Sequence, residues 1–359
     1  MPPSITTAEL LACRLANQAI SDSRFTRPAE VVRWLGAVQA QDYLGGLWAI
    51  GLRTDKATES DVERALANRS IVRTWPMRGT LHFVAAADAR WMLDLCAARI
   101  LQRNEKRLRS DFEITAPVLA AARKVIVKAL EGGKTLTRDA LYKLLDDAGI
   151  ETGDSRGLHI VFALAHVGFL CFGCREGKQQ TFALLDEWLP AQAALPRDEA
   201  LAMLARRYFT SHGPATIRDF AWWSGLTLAD AKRAIEITQP LDRLERDDQE
   251  LWWVERDIPP LTSRSFLLPA WDEYTVGYSD REPLVDPSHR KKLDRYGVMN
   301  QVMVRRGQVF GAWKRAVTPH QVRVKASPFV KQTKPQRESI ASAARRYGHF
   351  LGLPAVVVR

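Results

Sequence analysis

The stretch that decides the fold reads Thr137-Arg138-Asp139-Ala140-Leu141-Tyr142-Lys143-Leu144-Leu145-Asp146-Asp147-Ala148, followed by Phe169-Leu170-Cys171-Phe172 and Thr181-Phe182-Ala183-Leu184-Leu185. Thr137 suits a helix N-cap, and Leu141, Leu144 and Leu145 fall on one apolar face. Before it, Pro117 to Leu130 reads as a helix ended by Gly132-Gly133. After it, Asp154 or Ser155 can cap a third helix running to Gly168. Two short apolar runs then flank the polar turn Glu176-Gly177-Lys178 and read as paired strands. Three helices leading into a two-stranded hairpin is the order of a winged helix-turn-helix module.

The same order recurs on both sides. Upstream, Thr7 can cap a helix over 8–19, Arg27-Pro28 opens another, and Thr58 or Ser60 starts a third. Ile71 to Trp75 and Thr80 to Val84 then pair around Met77-Arg78-Gly79, and 86–109 is a long linking helix. Downstream, helices at 199–208, 216–224 and 227–237 lead into strands 241–246 and 251–255 around Asp247-Asp248-Gln249. The third-helix positions are only mildly charged. After Pro259-Pro260 come short strand-like runs at 265–268, 298–305, 308–314 and 321–324, which suggest a small barrel or curled sheet. Arg305-Arg306-Gly307-Gln308 fits a tight hairpin tip, and a helix over 336–350 and a strand over 355–358 close the chain. The expected fold is α+β: three tandem winged-helix modules (1–110, 111–195, 196–258) and a basic, β-barrel-like C-terminal unit (259–359).

With 359 residues, the chain is too long for one ordinary core. Its composition, 46% apolar and 26% charged, is that of a water-soluble globular protein. Charges interrupt every apolar run short of a membrane span, and no secretory signal pattern opens the sequence; a cytoplasmic, nucleoid-associated location is expected. Cys13, Cys96, Cys171 and Cys174 do not form a disulfide framework in a chain of this length. Cys171-Phe172-Gly173-Cys174 has metal-ligand spacing but no second ligand pair nearby, so it reads as part of a hairpin. Net charge is +11. Residues 289–346 hold 15 Lys or Arg against two acidic residues, a local +13, and the rest of the chain stands near −2. Charge concentrated in this way points to a polyanion partner.

No GxSxG elbow, P-loop or GxGxxG occurs, and no lysine sits in a plainly apolar helix that would lower its pKa for Schiff-base chemistry. Val38-Gln39-Ala40-Gln41-Asp42-Tyr43 offers another chemistry. Two amides at i and i+2 share one side only where the backbone is extended or bent; otherwise they are a polar helix end.

That stretch, together with Arg73-Thr74-Trp75-Pro76-Met77-Arg78-Gly79-Thr80-Leu81-His82-Phe83, Leu267-Leu268-Pro269-Ala270-Trp271-Asp272-Glu273-Tyr274 and Gly311-Ala312-Trp313-Lys314-Arg315, resembles the AlkZ-type bulky-adduct DNA glycosylases. The resemblance spans roughly residues 8–358 and rests on four motifs in order. It implies tandem winged helices and hydrolysis of the N-glycosidic bond of a bulky N7-alkylguanine, and leaves open whether cross-links are unhooked as well. It also implies a role in base excision repair or self-resistance, with Gln39 and Gln41 as the catalytic pair.

Asp42 admits two readings: a base or electrostatic stabiliser, or, as we prefer, the start of a turn through Tyr43-Leu44-Gly45-Gly46. DNA contacts are expected from Arg73, Arg78 and His82, although Arg78 can equally brace the hairpin through an ion pair. Further contacts are expected from Arg290, Lys291, Lys292, Arg305, Arg306 and Gln308. Trp75 can stack on a base or pack in the core, and Asp272-Glu273-Tyr274 reads as a strand-end turn without chemistry. The expected partner is double-stranded DNA carrying alkylated bases, bound by a monomer with no cofactor, no metal and no membrane contact. A non-enzymatic winged-helix regulator is the alternative.

Overall fold

The structure, a computed structural model, describes residues 2–358. In chain order the helices are α1 (Thr7–Asn17), α2 (Pro28–Leu35), α3 (Tyr43–Arg53), α4 (Glu59–Ala67), α5 (Ala89–Phe112), α6 (Ala116–Leu130), α7 (Arg138–Asp147), α8 (Arg156–His166), α9 (Leu185–Trp188), α10 (Arg197–Ser211), α11 (Ile217–Ser224), α12 (Leu228–Ile237), α13 (Glu273–Val276), α14 (Arg290–Tyr296) and α15 (Lys334–Leu351). The strands are β1 (Val38–Gln39), β2 (Ile71–Met77), β3 (Thr80–Ala85), β4 (Leu136–Thr137), β5 (Leu170–Phe172), β6 (Thr181–Leu184), β7 (Asp242–Arg246), β8 (Gln249–Trp253), β9 (Ser265–Leu268), β10 (Val302–Arg305), β11 (Gln308–Val317), β12 (Val322–Pro328) and β13 (Ala355–Val358). The fold is mixed α+β and divides into two compact units, one of residues 1–63 with 201–359 and the other of residues 64–200. No helix among the described residues is long and apolar enough to cross a membrane.

The 64–200 unit is built on the hairpin β2–β3 and the hairpin β5–β6, and both form where the sequence pattern places them. The two hairpins share one sheet. Arg73 on β2 pairs with Phe172 on β5, and β4 adds to the far side of β6, so the hairpins merge into one antiparallel sheet. Merging covers edges that would otherwise offer unpaired N–H and C=O groups. Every β2 residue is buried, as expected of a strand covered on both faces. Leu141 and Leu145 of α7, and Ile160, Val161 and Leu164 of α8, fill the core beneath it. Thr137 caps α7 as expected, its hydroxyl accepting from the Ala140 N–H at 3.3 Å. Trp75 is core: its ring lies 5.0 Å from that of Phe172.

In the other unit, α1 starts one residue earlier than the sequence suggested. Thr6, not Thr7, is the cap, and it forms a reciprocal capping box with Glu9. Leu10 and Cys13 of α1 pack with Leu244, Leu251 and Trp253 of the β7–β8 hairpin, whose tip residues Asp247 and Asp248 take positive φ. The C-terminal strands run in the order β13-β12-β11-β10-β9, antiparallel except for the parallel β12–β13 pair. The two end strands do not pair with each other, so the expected barrel-like closure is replaced by an open sheet. Helix α15 packs against both β9 and β13.

The largest local departure from expectation is α3. The Asp42-to-Gly46 run, read as a turn, opens an 11-residue helix with Asp42 at its N-cap. Three glycines make α3 a poor helix by propensity; packing overrides them. Trp48 donates from Nε1 to the Leu267 carbonyl at 2.7 Å and meets the rings of Tyr347 and Phe350 on α15 at 4.9 and 5.1 Å. Gly51 lies so close to Phe350 that a Cβ there would sit 2.3 Å from its ring.

Candidate catalytic site

The glutamine stretch bridges α2 and α3. Gly36 ends α2 with φ +83°, and its Cα faces Trp223, whose ring edge would lie 3.3 Å from an added Cβ. The chain then runs extended at Val38–Gln39 and again at Asp42 (φ −88°, ψ 106°). An extended course is the condition under which residues two apart share a side. Ala37, Val38 and Ala40 are buried, Gln39 is 9% exposed and Gln41 is exposed. Asp42 makes no capping bond through its side chain. Its carboxylate instead folds over the first turn of α3, where a Cβ on Gly45 would meet Oδ2 at 2.7 Å. Its carbonyl accepts from the Gly46 N–H at 2.8 Å. Tyr43 donates to Glu63 at 2.8 Å.

Beneath this segment lies Asp272-Glu273-Tyr274, which the sequence reading left without a role. All three residues are buried. Glu273 Oε1 accepts from the Gln39 backbone N–H at 2.8 Å, and its Oε2 accepts from Trp223 Nε1 at 2.9 Å. One carboxylate thereby ties the glutamine strand to the tryptophan that supports Gly36. His212 Nε2 stands 3.5 Å from Glu273 Oε2. Burial lowers the pKa of His212, opposed by Glu273, and holds the ring neutral at pH 7.

Asp272 caps α13 by accepting from the Tyr274 N–H at 2.9 Å. It also receives a two-point bond from Arg53, at 2.7 and 2.9 Å, with both side chains fully buried. The remaining Arg53 donors reach the Ala49 and Gln18 carbonyls and the Gln18 side chain. Such a pair persists in a dry interior because every donor has a partner. Tyr274 extends the frame further, donating to the Gly307 carbonyl at 2.9 Å. In sequence this was two acids after an apolar run; only partners 33 to 234 residues away distinguish it from a strand-end turn without chemistry.

The basic candidates are spread over both units. In the 64–200 unit, Arg78 and Gly79 take positive φ at the β2–β3 turn. His82 Nδ1 pairs with the Thr80 carbonyl at 2.9 Å, which makes it the protonated nitrogen and leaves Nε2 to accept from Arg78 at 3.2 Å. Arg78 therefore braces its own hairpin. Arg73 is buried, lies over the Phe172 ring at 4.7 Å and donates to Gln180 at 3.2 Å.

In the C-terminal part of the other unit, Arg305 and Gln308 pair across a tight tip with Arg306 and Gly307 at positive φ, as the sequence indicated. The tip is seated rather than projecting: a Cβ on Gly307 would lie 2.4 Å from Leu11. Arg305 donates to Gln332 at 2.8 Å and lies over Phe310, and Gln308 reaches the Pro283 carbonyl at 3.5 Å. Arg306 is exposed. Arg290 pairs with Glu282 at 3.1 Å, Lys292 donates to the Phe329 carbonyl, and Lys291 is exposed. Among the described residues no group of three or more His, Cys, Asp or Glu is placed to hold a metal.

A family model described as DNA glycosylase AlkZ-like matches residues 32–350. The interstrand DNA cross-link repair glycosylase of Streptomyces sahachiroi is 25% identical over 327 residues, covering 85% of this chain and 87% of that protein. The solved structure of the Streptomyces sahachiroi DNA glycosylase AlkZ is similar in fold, with a TM-score of 0.79 and 23% identity, over 99% of this chain and 100% of that one.

Proposed function

The chain belongs to the AlkZ-like DNA glycosylases, enzymes that hydrolyse N-glycosidic bonds, and from that premise we propose that it removes bulky N7-alkylated guanines, cross-linked ones included, to leave an intact abasic site. The observation that carries this reading is the glutamine pair on a non-helical segment whose backbone is held by Glu273. The Streptomyces sahachiroi relative is named for interstrand cross-link repair, which supports extending the substrate to cross-links. Protection of a producer against its own DNA-alkylating product is a setting consistent with such a substrate.

Two neutral amides suffice for this chemistry. Alkylation at N7 leaves guanine cationic, so it departs without being protonated. The remaining barrier lies in an oxocarbenium-like sugar and in placing a water near C1′. An amide carbonyl aimed at the developing charge stabilises it electrostatically. Paired amides also hold one water by accepting and donating together. In this reading Gln41 orients the water and the more buried Gln39 supports it, while Asp42 belongs to the start of α3. The helix-and-hairpin groups act as tandem winged helix-turn-helix modules, and the basic 259–359 segment supplies phosphate contacts to duplex DNA. Family membership sets aside the non-enzymatic regulator.

The test is incubation with duplex DNA carrying N7-alkylguanine. Release of the free base with an unbroken strand is expected, and borohydride reduction should trap no protein–DNA adduct. A trapped adduct would show Schiff-base chemistry in place of hydrolysis.

A further inference from the structure

A cavity of about 390 Å³ lies in the 1–63/201–359 unit, away from the glutamine segment. Trp48, Gly51 and Thr54 line it, from the middle and C-terminal end of α3. Thr54 is 13 residues beyond Gln41, about 20 Å along a helix at 1.5 Å per residue. The cavity is therefore not the space addressed by Gln41.

Its wall holds Arg264 and Arg346, and Lys56 and His349 also line it. A second, smaller cavity of about 100 Å³ shares both arginines. Among the described residues Arg346 donates only through Nη2, to Ser23 Oγ and the Leu52 carbonyl. Arg264 uses its own Nη2 on the Ser21 carbonyl. Neither guanidinium makes an ion pair among the described residues. Capping the end of α3 accounts for one nitrogen of Arg346, but not for its other donors or for Arg264 beside it. Burial and the neighbouring Arg264 charge both push the Arg346 pKa down, with Arg53 adding to the effect and Asp55 opposing it. Arg346, partly buried, and the exposed Arg264 repel each other, and an anion between the two guanidiniums would relieve that repulsion. The two carboxylates of the cavity, Asp22 and Asp55, are exposed.

We propose that this cavity binds a phosphate group through Arg264 and Arg346. Planar guanidinium forks match phosphate oxygens two at a time. The volume exceeds that of a lone anion and leaves room for an attached sugar, whose hydroxyls the rim carboxylates can accept from. The same chemistry is offered by a backbone phosphate of DNA and by a free nucleotide. The DNA-phosphate source rests on the base-excision reading, in which residues 259–359 contact duplex phosphates; the nucleotide source is independent of it.

Calorimetric titration of the full chain with inorganic pyrophosphate, at an ionic strength fixed with chloride, tests it. Saturable binding is expected, weakened at least tenfold in Arg264→Ala. Arg264 is exposed, so this variant keeps its fold even if Arg346→Met does not. Repeating the titration on the complex with undamaged duplex assigns the source. Loss of pyrophosphate binding there identifies a DNA phosphate, and unchanged binding identifies a soluble phosphate compound. Absence of saturable binding, or equal binding by Arg264→Ala, would overturn the proposal.

Discussion

The backbone N–H of Gln39 donates to the buried carboxylate of Glu273 at 2.8 Å, across 234 positions of sequence. Glu273 is a positioning residue: it holds the backbone of the strand that carries the glutamines. Glu273→Gln keeps the size but turns one acceptor into a donor, facing either the Gln39 N–H or the Trp223 N–H. A buried donor left unmatched costs about 1–3 kcal/mol. The expected result is a fall in single-turnover excision of about ten-fold or more with DNA affinity unchanged. Normal excision by a folded Glu273→Gln protein would remove Glu273 from the positioning role.

The Arg53–Asp272 pair is fully buried, so breaking it from one side strands a charge. Arg53→Met or Asp272→Asn should each lower unfolding free energy by about 3–5 kcal/mol. The double substitution should recover part of that loss, because no charge then lies unpaired. Urea denaturation of the three variants gives the comparison. Additive losses in the double variant would mean that the two side chains do not act as a pair.

Stability should also depend on pH through His166. Burial lowers its pKa to about 4, opposed by the bond to the Phe162 carbonyl. The unfolded state therefore binds the proton first. Stability is fully present above about pH 6.5 and is lost as pH falls from there toward 4, by up to about 3 kcal/mol. Burial shifts His212 in the same direction. Urea midpoints between pH 7.5 and 5 should fall for the parent protein and fall less steeply for His166→Gln. Parallel curves would contradict the buried neutral state of His166.

The hairpin and helix pattern was legible because Leu141, Leu144 and Leu145 recur at helical spacing and because capping and turn residues mark the ends. Even the tip geometry at Arg306-Gly307 was accessible from local chemistry. Three features were not. Helix α3 carries glycines at 45, 46 and 51 that argue against a helix, and it forms because Trp48 and Gly51 meet α15, nearly 300 residues away. The union of the first two hairpins rests on the cross-strand pair Arg73–Phe172, which no local pattern encodes. The burial of Asp272 and Glu273 is set by Arg53, Trp223 and Gln39, so their composition alone indicated only a strand-end turn.

Seating of the C-terminal tip changes which arginine is expected to meet DNA. Arg305 is bonded to Gln332, whereas Arg306 is exposed. Arg306→Ala should lower the slope of log affinity against log salt by roughly 0.9, equally for damaged and undamaged duplex. Arg305→Ala should act mainly on stability. Affinity measured over a range of salt distinguishes the two, and an unchanged slope for Arg306→Ala would place the phosphate surface elsewhere.

The central claim is that two neutral amides carry the hydrolysis. Single-turnover excision of an N7-alkylguanine from duplex DNA by Gln39→Ala and Gln41→Ala, with DNA affinity measured alongside, tests it most directly. Each variant should be slowed by about ten-fold to a thousand-fold, the cost of one preorganised polar group, with affinity nearly unchanged because amides carry no phosphate-binding charge. Parental rates in both variants would contradict the account and move the chemistry to other residues.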